Sequence, residues 1–199
     1  MEPITRITAG AAPIDRPNVD TDQVIPARFL HKPRNGTLGR YLFHDLRFGP
    51  DGAPNPDFVL NRPPFDSARI LVAEQNFGCG SSRENAVWAL HDYGIQAVLA
   101  PSFGDIFRSN SLKNGLLPIV LPAEVIHGLL AQLAETPGGT IAIDLETELV
   151  TLPDGTRHRF EIDPFIRHCL LNGIDELDYT LSQMDQVESF EHRYGRRNA

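Results

Sequence analysis

Apolar positions are grouped unevenly along the chain. The first 66 or so residues carry short apolar pieces between Pro, Gly, Asn and Asp, with few long periodic segments. Ile4 to Thr8 reads as a strand. Asn18 to Pro26 reads as a turn entering a short strand at Val24-Ile25. Pro50 to Pro64 holds five prolines and two asparagines, which predicts an ordered but irregular loop.

From Ala68 the pattern becomes regular. Ile70 to Ala73, Gln96 to Ala100 and Leu116 to Leu121 are short continuous apolar runs, the mark of buried strands. Helical patterns separate them at Ser82 to Tyr93 and Asp105 to Lys113, closed by Gly94 and by Asn114-Gly115. Pro122 opens a helix to Glu135 with Val125, Ile126, Leu129, Leu130 and Leu133 on one face. Thr140 to Leu145, Leu149 to Leu152 and Arg157 to Ile162 read as strands, with Pro153-Asp154-Gly155 as a hairpin turn. Asp163 and Pro164 start a helix that Asn172-Gly173 closes, and a last amphipathic helix spans about 180–195. Strands alternating with helices, then a β-rich stretch, predict one α/β domain over 1–199. It has an irregular arm (about 1–66), a mixed-sheet core (about 67–175) and the C-terminal helix.

Charge and cysteine content narrow the chemistry. A formal net charge of −8 argues against nucleic acid as a main partner, because phosphate binding needs a basic face. No apolar run approaches the ~20 residues that cross a bilayer. Two distant cysteines, Cys79 and Cys169, point away from a disulfide framework and toward a reducing cytoplasm. Two thiols also fall short of the three or four that hold an iron–sulfur cluster. Neither His-Glu-x-x-His nor Cys-x-x-Cys occurs, so no metal site is expected in this chain.

The most chemical segment is Gly78-Cys79-Gly80-Ser81-Ser82-Arg83-Glu84, a glycine-rich turn between a strand and a helix. Helix N-termini expose N–H groups at the positive end of a dipole, which suits a carboxylate or phosphate. Ser81, Ser82 and Arg83 add donors there. Ser81 and Glu84 have capping-box spacing. The segment lacks the Gly-Lys-Ser/Thr of a nucleotide loop, and Arg83 stands where a dinucleotide fingerprint needs its third glycine. Cys79 reads either as a thiolate nucleophile or, better, as a small residue that fits the turn. Asp20-Thr21-Asp22 places two carboxylates on one face of an extended segment, able to orient a hydroxyl or simply to form a turn. Arg34 lies in a basic, turn-rich loop that can clamp a carboxylate or remain solvated surface. Phe29, Leu30, Leu42 and Phe43 on the arm face either a partner or the chain's own sheet.

Several segments together carry a resemblance. They are Asn18-Val19-Asp20-Thr21-Asp22-Gln23-Val24-Ile25-Pro26, Asn76 through Glu84, Asp92-Tyr93-Gly94, Pro101 through Phe107, and Arg167-His168-Cys169 with Asn172-Gly173. Over nearly its whole length the chain resembles the small-subunit family of the isopropylmalate dehydratases, in the aconitase superfamily. The resemblance implies the aconitase-like swivelling domain, a mixed, barrel-like sheet flanked by helices. It implies isomerisation of 2-isopropylmalate to 3-isopropylmalate by dehydration and rehydration, in leucine biosynthesis. It implies a large-subunit partner, in a heterodimer or heterotetramer, that carries a [4Fe–4S] cluster; no cofactor is implied in this chain. Related hydro-lyases act on citraconate or homoaconitate.

By the same resemblance Ser81 is the catalytic base and Asp22 the active-site aspartate. Ser82, Arg83 and Thr21 hold the substrate, beside the turn Gly78-Cys79-Gly80 already read from its residues as an anion-binding loop. Arg34 stands at the spacing of a substrate arginine, and the Arg28 to Arg34 loop selects the substrate's side chain. One position departs. The family usually reads Ser-Ser-Arg-Glu-His, and here the last residue is Asn85, which keeps a hydrogen bond but does not titrate near neutrality.

Overall fold

The computed structural model describes residues 2–197. It is built around β1 (Arg6–Ile14), a strand whose two halves have different neighbours. Arg6 to Gly10 pair antiparallel with β5 (Thr140–Asp144), and Ala11 to Ile14 pair parallel with β2 (Ile70–Ala73). Beyond β2 lie β3 (Ala97–Ala100) and β4 (Leu117–Val120), both parallel. Beyond β5 lie β6 (Leu149–Thr151) and β7 (Arg157–Arg159), both antiparallel. The order is β4-β3-β2-β1-β5-β6-β7, a mixed sheet.

β1 is longer than the strand predicted at Ile4 to Thr8, because small residues, Ala9 to Ala12, continue it. Pro13 is tolerated because Ala11 to Ile14 pair on one side only, the edge position where a missing N–H costs no ladder bond. Pro118 sits likewise on outermost β4.

Helices cover both faces of the parallel half. α3 (Glu84–Tyr93) follows β2, α4 (Asp105–Lys113) follows β3, and α5 (Ala123–Glu135) follows β4. Successive strand residues alternate between two cores. Leu71, Ala73, Val98 and Ala100 join α3, while Ile70, Val72, Ala97 and Leu99 join α5. The residues after β1 contribute to the first core without forming strands. α1 (Thr21–Val24), α2 (His44–Arg47) and four 3₁₀ turns carry Val24, Ile25, Leu38, Leu42 and Phe43, all fully buried. Leu42 and Phe43 therefore pack on the chain's own core, and Phe29 and Leu30 lie partly buried against it.

Two local expectations are corrected. Val24-Ile25 is not a strand, because Asp20 caps a helical turn over it. The C-terminal helix is two helices, α7 (Glu176–Ser182) and α8 (Met184–Arg197), after α6 (Pro164–Asn172). α7 starts early because Asp175 and Asp178 form a capping box. Among the described residues no helix is long and apolar enough to cross a membrane.

Candidate active site

Three loops leave the C-terminal ends of β1, β2 and β3 and meet, the place where parallel α/β sheets leave a crevice for ligands. Backbone bonds join them. Asn18 N–H donates to the Gln75 carbonyl (2.9 Å), Gly78 N–H to Val19 (2.7 Å) and Thr21 N–H to Cys79 (3.0 Å). On the other side Phe77 N–H donates to Ser102 (3.1 Å) and Gly104 N–H to Phe77 (2.9 Å). Asn18 and Asn76 both adopt left-handed backbone, and Asn76 Nδ2 donates to Asn18 Oδ1 (2.7 Å).

The Gly78–Gly80 turn is held by close approach as well as by conformation. Gly78 has φ +72, and a Cβ there would lie 2.2 Å from Cγ of buried Phe107. A Cβ on Gly104 would lie 2.5 Å from the Gly78 carbonyl oxygen. Only glycine fits either position.

This turn presents Ser81 and Ser82 to solvent, with Arg83 at the N-cap of α3. Thr21 Oγ1, buried, donates to the Ser81 carbonyl (2.8 Å) and anchors the loop from below. Among the described residues no protein acceptor meets the backbone N–H groups of Ser81 through Asn85. The loop thus offers N–H groups, two hydroxyls and a guanidinium to one small anion.

The predicted capping box does not form. Arg83 is extended (φ −141, ψ 99) and makes no side-chain cap, and Glu84 Oε1 accepts instead from Asn114 Nδ2 (2.8 Å). The functional cap belongs to Asp20, whose Oδ1 accepts from Gln23 N–H (2.7 Å). Asp20 and Asp22 therefore do not share an extended face.

Asp22 turns to Arg83 and takes both guanidinium ends, with Nη2 2.7 Å from Oδ2 and Nη1 on Oδ1. Oδ1 also accepts from Ala27 N–H (3.2 Å). The Arg83 hydrogen bond holds the Asp22 carboxyl below the usual carboxylate range. Arg83's side chain is 14% exposed against 53% for Asp22, so the guanidinium is the fixed partner. Thr21, Asp22, Gly78, Cys79, Gly80, Ser81, Ser82 and Arg83 are thus assembled in one place.

Arg34 is not brought into that contact set. Its guanidinium lies 4.6 Å from the Trp88 ring centre and donates to Asn114 Oδ1 (3.1 Å). Asn85 Nδ2 donates to the Leu30 carbonyl (3.4 Å). Sequence reasoning met Asn18 and Asn76 only as ends of motif segments and Asn114 only as a helix end, and gave none of them a role at the site. The Asp20–Gln23 spacing is a capping signal that could have found the turn at Thr21.

The two thiols differ. Cys79 is partly exposed in the turn. Cys169 is buried in α6, and burial first, then Glu176 and Asp175, pushes its thiol up. Among the described residues no three His, Cys, Asp or Glu side chains converge as a metal site.

Residues 1–124 match the aconitase C-terminal domain family, and 128–164 match LeuD_N. The 3-isopropylmalate dehydratase small subunit of Anaeromyxobacter sp. strain K is 52% identical over 191 residues, covering 96% of this chain and 98% of that protein. The small subunit of the same name from Chloroflexus aurantiacus is also 52% identical, over 96% of this chain and 95% of its own. The crystal structure of 3-isopropylmalate dehydratase (leuD) from Methanocaldococcus jannaschii aligns with TM-score 0.64 at 27% identity, over 94% of this chain and 99% of that one. The chain belongs to the aconitase C-terminal domain family, among its 3-isopropylmalate dehydratase small subunits.

Proposed function

We propose that this chain is the small subunit of 3-isopropylmalate dehydratase, a hydro-lyase of leucine biosynthesis working in the cytoplasm. In this reading it contributes one wall of an active site that a large subunit completes. The carrying observation is the fixed loop that holds exposed Ser81 and Ser82 beside Arg83, in a chain half-identical to such subunits over nearly full length.

One substrate carboxylate is held by the Ser82 hydroxyl, Arg83 and the free N–H groups at the start of α3. A guanidinium has five N–H donors and Asp22 takes two, so Arg83 retains donors for a ligand. Ser81, as alkoxide, removes the proton from the carbon next to a carboxylate and returns one on rehydration to the isomeric diacid. An ordinary serine hydroxyl is too weak a base for this. The α3 N-terminus and Arg83 lower its cost by stabilising negative charge on Oγ. Asp22 aims Arg83, and Thr21 fixes the loop. The site opens to solvent in this chain alone, whereas a dehydration needs its carbanion-like charge kept from bulk water. A covering partner supplies that exclusion.

The [4Fe–4S] cluster that the family resemblance implies does not fit this chain's donors. Cys79 and Cys169 are its only thiols, and Cys169 is buried away in α6. We therefore assign the cluster, a Lewis acid for a leaving hydroxyl, to the large subunit.

The test is anaerobic turnover of 3-isopropylmalate, followed by absorbance of the unsaturated diacid. This chain, the large subunit and their mixture are assayed side by side. Activity is expected only in the mixture. Absence of activity with a large subunit that works with another small subunit overturns the reading.

A further inference from the structure

Asn114 ends α4, and its side-chain amide has no spare capacity. Nδ2 donates to Glu84 Oε1 (2.8 Å) and to the Asn110 carbonyl (2.9 Å). Oδ1 accepts from Trp88 Nε1 (3.0 Å) and Arg34 Nη2 (3.1 Å). An asparagine amide offers two donors and two lone pairs, and all four are used. Glu84 and Trp88 are one turn apart on the same face of α3. Arg34 also lies over the Trp88 ring, so the loop arginine is held by a hydrogen bond and a cation–π contact together.

The other end of Arg34's segment is tied to the site itself. Ala27 N–H donates to Asp22, the partner of Arg83, and the Leu30 carbonyl accepts from Asn85 in the first turn of α3. Residues 27–34 thus border the anion loop; Arg28 pairs with Asp45, and three further ties run toward the site. Two of these are on or beside α3, and one is Asn114.

We propose that Asn114 is a positioning residue, and that Arg34 acts through it. With Trp88 they latch residues 27–34 to the first turn of α3, so that this wall stands at a fixed distance from Ser81 and Arg83. Arg34 then serves the site without touching the substrate. This rests on the dehydratase reading for its kinetic consequence, not for the latch. With the latch broken, the segment must be ordered each time substrate binds, and that entropy cost falls on binding rather than on proton transfer.

The test is a double-mutant cycle in the complex with the large subunit. Arg34→Ala and Asn114→Ala are each expected to raise KM for 3-isopropylmalate about tenfold, with kcat changed less than about twofold, and the double variant to do no worse than the worse single one. Multiplied effects would mean that Arg34 makes its own substrate contact and would overturn the latch. So would a fall in kcat at constant KM. Amide hydrogen exchange on the chain alone gives an independent readout. Asn114→Ala and Trp88→Phe, which keeps an aromatic face but loses the N–H, should speed exchange across 28–37 while β5 and α5 stay protected. Unchanged exchange there overturns the latch even if the enzyme works. A wild-type complex without turnover counts against the dehydratase reading and leaves the exchange result standing.

Discussion

The parallel and antiparallel halves of the sheet share β1 and little else. β2 and β3 are buried on both faces, and the loop beyond β2, braced by the loop beyond β3, carries every assembled site residue after Asp22. β5 is buried at alternate positions and β7 is mostly exposed, and no predicted site residue lies on that half. Covering both faces of parallel strands with helices leaves only the strand ends free, so chemistry gathers there. β5, β6 and β7, linked by short turns, leave no such crevice and serve as support.

This division can be broken on either side. The largest effect is expected from Ser81→Ala, on the parallel side, which should cut turnover of the complex by about 10³-fold while leaving the exposed loop's stability within ~0.5 kcal/mol. Steady-state kinetics with a thermal melt checks both. Ile143→Ala, at a buried position of β5 that faces the second core, should do the reverse, costing ~2–5 kcal/mol in urea unfolding with kcat/KM retained below the transition.

Two glycines with similar backbone sharpen the contrast. Gly78→Ala meets Phe107 as well as φ +72 and should cost ~2–4 kcal/mol together with activity. Gly155→Ala, in the β6–β7 hairpin at φ +87 with open space around it, should cost only ~1–2 kcal/mol and no activity.

The smallest effect concerns the segment after β1. The Arg28 hydrogen bond, with a lesser one from His44, pulls the Asp45 carboxyl down to about 2. A depressed carboxylate stabilises the fold above its unfolded value and loses that contribution as pH falls through the folded one. The contribution should therefore be full above about pH 5 and fade toward pH 2. Asp45→Asn should flatten that part of the stability–pH curve measured by urea unfolding.

The parallel half was legible because its strands are continuous apolar runs and its helices are periodic, so β2 through α5 emerge close to their observed bounds. β1 was legible only in its first three residues, Arg6 to Thr8. Ala9 to Pro13 have little apolar bulk, and an edge strand needs little. The stretch read as an irregular arm holds β1 and, after it, short helical turns. The burial of Leu38, Leu42 and Phe43 was not legible, since turns satisfy the backbone without imposing a period on side chains. At the site, the Gly78–Glu84 loop announced itself by composition. The Asp22–Arg83 pair joins residues 61 apart, and Asn114 reaches Arg34 across 80, separations on which local patterns are silent.

The two-part pairing of β1 also sets an order of assembly. Arg6 stands opposite Asp144, 138 residues on. On a nascent chain β1 must wait for β2 to pair its second half and for β5 to pair its first. Until then the loop after β1, with Thr21 and Asp22, has only part of its support. Such distant pairings raise contact order and slow folding. β1 is completed only once β5 exists, and a chain halted before β5 carries the site's residues on an unfinished sheet.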